Sequence, residues 1–159
     1  MKKSFLVVLF VLVFMQASAN IFVWNYKTNN KGEYYACISS SPEYPDGDFT
    51  KDGTILGMFV TEANGEKIVD IVLHGDYDIH DLDDQHNQVV VEIGGKTQRW
   101  RVKLTEYNGN KFCRLRFVNS ARLIKYLVNA DWFSITLPLY KQGATTFYFN
   151  CNNYPLEWE

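Results

Sequence analysis

The chain has 159 residues, 47% of them hydrophobic and 16% aromatic, with 16 Lys+Arg against 18 Asp+Glu. That length fits one domain with a real core. A formal charge of -2 excludes the strongly basic classes that bind nucleic acid or anionic membranes through overall charge.

Lys2 and Lys3 precede an almost wholly apolar run from Phe5 to Met15, and Ala17-Ser18-Ala19 gives a small-residue cleavage signature before Asn20. These three parts predict a secretory signal peptide over 1–19. The apolar run is well short of the roughly 20 residues a membrane-crossing helix needs. The expected mature protein is therefore a single β-rich domain over 20–159, periplasmic or secreted, with no transmembrane segment left after cleavage. Removing Lys2 and Lys3 takes the formal charge from -2 to -4. No Asn-x-Ser/Thr site occurs, which agrees with a bacterial source.

From Tyr34 onward, period-two alternation outweighs helical spacing. A strand is predicted over 34–40, followed by a loop rich in Pro, Gly and Asp over 41–53. Asn64-Gly65 reads as a two-residue hairpin turn that places Val60 opposite Val69, Met58 opposite Ile71 and Leu56 opposite Leu73. Gly94-Gly95 joins the strand Val89 to Ile93 to the strand Lys96 to Leu104, with Val89, Val91 and Ile93 on the side of Trp100. Asn108-Gly109, read as a third such turn, sets Leu104 against Cys113, Val102 against Leu115 and Trp100 against Phe117. Residues 89–117 then form a three-stranded meander. Leu123, Ile124, Leu127 and Val128 recur at helical spacing and predict one helix over 120–129, capped by Ser120 or Asn119. Two strands follow, over 132–139 and 145–151, and Pro138 argues that the first lies at an edge or ends there. The fold class expected is mainly β: an antiparallel sandwich or barrel-like domain with one short helix.

Three features carry chemistry. Asn108-Gly109 puts Lys103 opposite Arg114 and Arg101 opposite Arg116, with Arg99 further along the same face. This basic face offers a patch for an anionic partner. Like charges across a ladder cost up to roughly 1 kcal/mol per pair, so the opposing reading is internal neutralisation, by Glu92 and by the acidic loop over 76–84. All three histidines lie in that loop's surroundings, His74-Gly-Asp76-Tyr-Asp78-Ile-His80-Asp81-Leu-Asp83-Asp84-Gln-His86. Imidazole and carboxylate suit a divalent metal, and His74, Asp76, Asp78 and His80 are the first ligands to test. The EF-hand pattern fails, because Asp81 stands where glycine is needed and Asn87 where a bidentate Glu is needed. A solvated acidic connection is the plainer reading. Among Cys37, Cys113 and Cys151, Cys113 alternates onto an apolar face as a small hydrophobe. Elimination leaves Cys37 and Cys151 as the disulfide candidates, although three pairings are open. Tyr34, Tyr35, Tyr44 and Tyr154 lie in or beside polar loops, as candidates for an exposed aromatic surface.

The C-terminal half adds an order of elements: strand 96–104 with Arg101 and Lys103, a basic-aromatic strand ending in Phe117, and a helix leading to Ala130-Asp131. The strand Phe133-Ser-Ile-Thr-Leu-Pro and the segment Thr146-Phe-Tyr-Phe-Asn-Cys-Asn-Asn-Tyr154-Pro complete it. This order resembles exported β-sandwich proteins of the invasion-associated locus B type and the type VI secretion accessory proteins like them. The resemblance implies a periplasmic or secreted, non-enzymatic role in envelope biology or host interaction. It brings no catalytic motif, and no nucleophile elbow, zinc-protease, Cys-x-x-Cys or phosphate-loop motif occurs in the chain. The expectation is an exported binding or interaction protein of the bacterial envelope, partnered by an envelope, secreted or host protein or a glycan. It needs no cofactor unless a divalent metal is held by the 74–86 segment, the alternative reading. A small hydrolase ranks behind both.

Overall fold

The computed structural model describes residues 23–30, 32–40, 55–74, 87–107, 112–139, 143–151 and 155–158. The signal segment, the 41–53 loop, the acidic stretch beyond His74, Tyr44 and Tyr154 lie outside them.

Nine strands and one helix follow in chain order: β1 (Asn25–Thr28), β2 (Tyr34–Ser39), β3 (Ile55–Ala63), β4 (Glu66–His74), β5 (Gln88–Ile93), β6 (Lys96–Tyr107), β7 (Phe112–Phe117), α1 (Ser120–Leu127), β8 (Trp132–Leu139) and β9 (Gly143–Asn150). Every ladder is antiparallel, in the order β1-β2-β3-β4-β7-β6-β5-β8-β9. The mainly β reading with one short helix is therefore correct. Among the described residues no ladder joins β1 to β9, so the sheet stays open.

Two hairpins form as the turn chemistry dictates. Asn64 and Gly65 both take positive φ, 54° and 75°, as do Gly94 and Gly95 at 57° and 73°. A type I′ turn requires such a pair, and only there does the twist of a two-residue turn match that of its strands. The register that follows sets Val60 against Val69, Met58 against Ile71 and Leu56 against Leu73, as the sequence predicts.

The hairpin at Asn108-Gly109 is different. Tyr107 pairs with Cys113, and a bulge between Leu104 and Glu106 inserts Thr105. Leu104 therefore faces Leu115 and Val102 faces Phe117, an offset of two residues from the expected pairing. A shift of two keeps each side chain on its own face, because side chains alternate with period two. Faces survive; partners change.

The length of β6 decides the shape. Its first half, through Arg101, pairs with β5, and its second half, from Val102, pairs with β7 on the opposite edge. The switch falls where Val102 N donates to Asn87 O and Val118 N donates to Arg101 O. Two half-sheets thus share one strand and pool their inner side chains in one core. That core joins Met58, Ile71 and Leu115 from one half to Phe133, Ile135 and Phe147 from the other. Pro138 lies on a stretch of β8 that pairs only with β9, since the β5 ladder stops at Thr136. Its missing N–H costs little there.

The helix starts at Asn119, whose side chain accepts from Arg122 N at 3.3 Å. It buries Leu123, Ile124 and Leu127. Ser120 ties it to the sheet, accepting from Val69 N at 2.9 Å and donating to Phe117 O at 2.8 Å. The segment 155–158 returns across β1 and β2: Leu156 is buried, Glu157 N donates to Tyr26 Oη at 2.7 Å, and Trp158 stacks on Tyr34 at 5.3 Å.

Ser120→Ala leaves the buried Val69 N–H without an acceptor, a loss of about 1–3 kcal/mol. Urea denaturation is expected to show that loss with an unchanged m-value.

Candidate functional site

The outer face of β6 and β7 carries the cations. On β6, Arg99, Arg101 and Lys103 are exposed, alternating with buried Trp100 and Val102. Residues two apart on a strand stand roughly 6.5–7 Å from each other, so the three form a row. On β7, half-exposed Arg114 and Arg116 alternate with buried Cys113, Leu115 and Phe117. All five predicted residues share one face, but their pairing is corrected by the two-residue offset. Lys103 faces Arg116 directly, and Arg114 faces Glu106.

The offsetting carboxylate is Asp70. It sits on β4, in register with Phe59 of β3 on one side and Arg116 of β7 on the other. Arg116 donates to it through both Nε and Nη2, at 2.8 and 3.1 Å. Such a two-pronged fit is the strongest arrangement a guanidinium and a carboxylate can make. Arg114 approaches less closely, with Nε 3.9 Å from Asp70 Oδ2 and Nη1 3.6 Å from Glu106. Its Nε is buried and has no hydrogen-bond acceptor. The Asp70 side chain is only 10% exposed, against 42% for Arg116 and 36% for Arg114. The hydrogen bond to Asp70 is the main reason the Arg116 guanidinium holds its proton more tightly than usual, with burial opposing it.

Glu92, the expected neutraliser, lies instead in register with Thr97 and Ser134. Asp70 carried a signal that pattern reading passed over. A single acid inside Ile68-Val69-Asp70-Ile71-Val72 is out of place in an apolar strand unless something pairs it. Among the described residues Asp70 and Glu106 offset two of these five cations. Among the described residues no carboxylate lies within ion-pair distance of Arg99, Arg101 or Lys103.

The disulfide expectation is corrected: none of Cys37, Cys113 and Cys151 is joined in a disulfide. Cys37 alternates with buried Ala36 and Ile38, so it points to the outer face, in register with Asn25 and Phe59. Cys151 belongs to the core, beside Trp24. Opposite faces of the sheet keep the two apart. Burial pushes the Cys151 thiol up to about 11, with the Trp24 indole pulling the other way and Asp131 adding to the rise. Cys113 is buried as expected.

Of the proposed metal ligands, His74 ends β4, its backbone in register with Ile55 and Phe112. Asp76, Asp78 and His80 lie outside the described residues. Tyr34 is exposed and stacks between Tyr26 and Trp158, while Tyr35 is half-buried against Phe59.

No family model, curated protein or solved structure matches the chain.

Two outcomes follow. Arg116→Met strands a buried carboxylate and is expected to cost about 1.5–3 kcal/mol in urea denaturation. Arg114→Met, which removes only longer contacts, is expected to cost less. The thiol gives a pH signature. A folded pKa raised to about 11 from an ordinary 9.0 means that Cys151 contributes its full stability below pH 9.0 and loses it as pH climbs toward 11. Melting curves across that window are expected to fall less steeply for Cys151→Ala than for the parent.

Proposed function

We propose that this chain is an exported, non-enzymatic binding protein of the bacterial envelope that meets an anionic partner through the outer face of β6. One observation carries the reading: Arg99, Arg101 and Lys103 stand exposed in a row on a rigid strand, with no carboxylate partner among the described residues. Unneutralised cations at fixed spacing attract and orient an anion, and they do so on a protein whose overall charge is negative. The signal-like N-terminal segment supports export. The resemblance to proteins of the invasion-associated locus B type supports an envelope setting and a role without catalysis.

The test is salt elution of the 20–159 protein from a heparin column, beside a triple variant Arg99→Glu, Arg101→Glu, Lys103→Glu of unchanged circular dichroism. Polyanion binding through this row predicts much earlier elution of the variant, because log affinity falls with log salt in proportion to the charges neutralised. Co-elution of the two proteins would refute the assignment of this face.

A further inference from the structure

Arg116 is not used up by Asp70. A guanidinium has five N–H donors, and the contacts to Asp70 engage Nε–H and one hydrogen on Nη2. The end-on edge, two hydrogens on Nη1 and one on Nη2, stays available as a second fork. The Arg116 side chain is 42% exposed, which leaves room for an acceptor there. Asp70 fixes the direction of that fork, because a two-pronged ion pair holds the guanidinium plane.

Lys103 lies directly across from Arg116, and Arg114 is two residues away from Arg116 on the same strand and face. Facing β-carbons in such a ladder are only about 4.5–5.5 Å apart. Three cations therefore rise from adjoining positions on one face. Arg101 follows Lys103 on the same face of β6.

We propose that Lys103, Arg114 and Arg116, aligned by Asp70, form a binding site for a phosphate monoester dianion. The inference rests on the anionic-partner reading above and narrows its chemistry. A tetrahedral dianion offers three oxygens: two for the Arg116 fork and one toward Lys103 and Arg114. A carboxylate offers two oxygens and half the charge. Bound phosphate also relieves the like-charge opposition of Lys103 and Arg116, which otherwise costs up to roughly 1 kcal/mol. Asp70 acts here as a positioning residue and touches no ligand.

The probe is inorganic phosphate at pH 7.5, titrated calorimetrically against sodium chloride of equal ionic strength. Saturable binding beyond chloride is expected. Arg116→Lys keeps the charge and loses the fork, and it is expected to bind phosphate at least about tenfold more weakly. Lys103→Gln should weaken binding as well, and it stays informative if Arg116→Lys melts at a lower temperature. Lys125→Gln, in the last turn of α1 and outside the basic face, should bind like the parent. Absence of saturable binding in the parent, or parent-like affinity in both Arg116→Lys and Lys103→Gln, would overturn the site. If heparin retention persists while phosphate does not bind, this site falls and the broader reading stands. If both are absent, both fall. Two further arms identify the source of the ester: glycerol 3-phosphate in solution, and phosphatidylcholine vesicles containing phosphatidic acid. Binding to either supports the site, and the arm that binds names a soluble ester or a lipid headgroup.

Discussion

A single strand holds the molecule together. β6 is twelve residues long and hands its pairing from β5 on one edge to β7 on the other between Arg101 and Val102. Without that handover the two half-sheets would be separate, each with one apolar face and nothing to bury it against. With it, the inward side chains of both halves meet in one core, capped by α1 and closed over by the 155–158 segment. The same alternation that sends Trp100 and Val102 inward sends Arg99, Arg101 and Lys103 outward. The basic row is thus a direct product of the strand that shapes the fold.

Electrostatics then divides that face in two. On β7, Asp70 takes the full two-pronged attention of Arg116 and part of that of Arg114. A carboxylate so nearly buried persists because its partner satisfies both oxygens; taken alone it would pay several kcal/mol in lost hydration. On β6 no such partner stands within reach among the described residues. Among the described residues the β7 side of the patch is thus held by ion pairs and the β6 side is not. Arg116 belongs to both, since one edge of its guanidinium is anchored and the other faces outward.

Much of this was legible in the sequence wherever local chemistry dictates geometry. Asn64-Gly65 and Gly94-Gly95 accept the positive φ of their turns, and their registers follow residue by residue. The spacing of Leu123, Ile124 and Leu127 marks the helix, which ends two residues earlier than expected. Asn108-Gly109 misleads because the β6–β7 connection is longer than two residues and β6 carries a bulge at Thr105. The error is even, so every face was right while the pairs were wrong. Asp70 against Arg116 was out of reach for a different reason. It depends on β4 lying beside β7, a non-local pairing across more than forty residues that no turn announces. The short β1 carried too little alternation to be seen. The cysteine pairing failed because counting says nothing about faces, and Cys37 and Cys151 lie on opposite ones.

The pairing of β7 with its two neighbours sets this face: β6 places Lys103 beside Arg116, and β4 places Asp70 beside Arg116. Inter-strand nuclear Overhauser contacts in isotopically labelled protein read it directly. The structure predicts backbone contacts linking Lys103 to Arg116 and Leu104 to Leu115, together with Asp70 to Arg116. Contacts linking Arg101 to Arg116 and Leu104 to Cys113 would contradict it, and with it the arrangement of charges on which the proposed binding face depends.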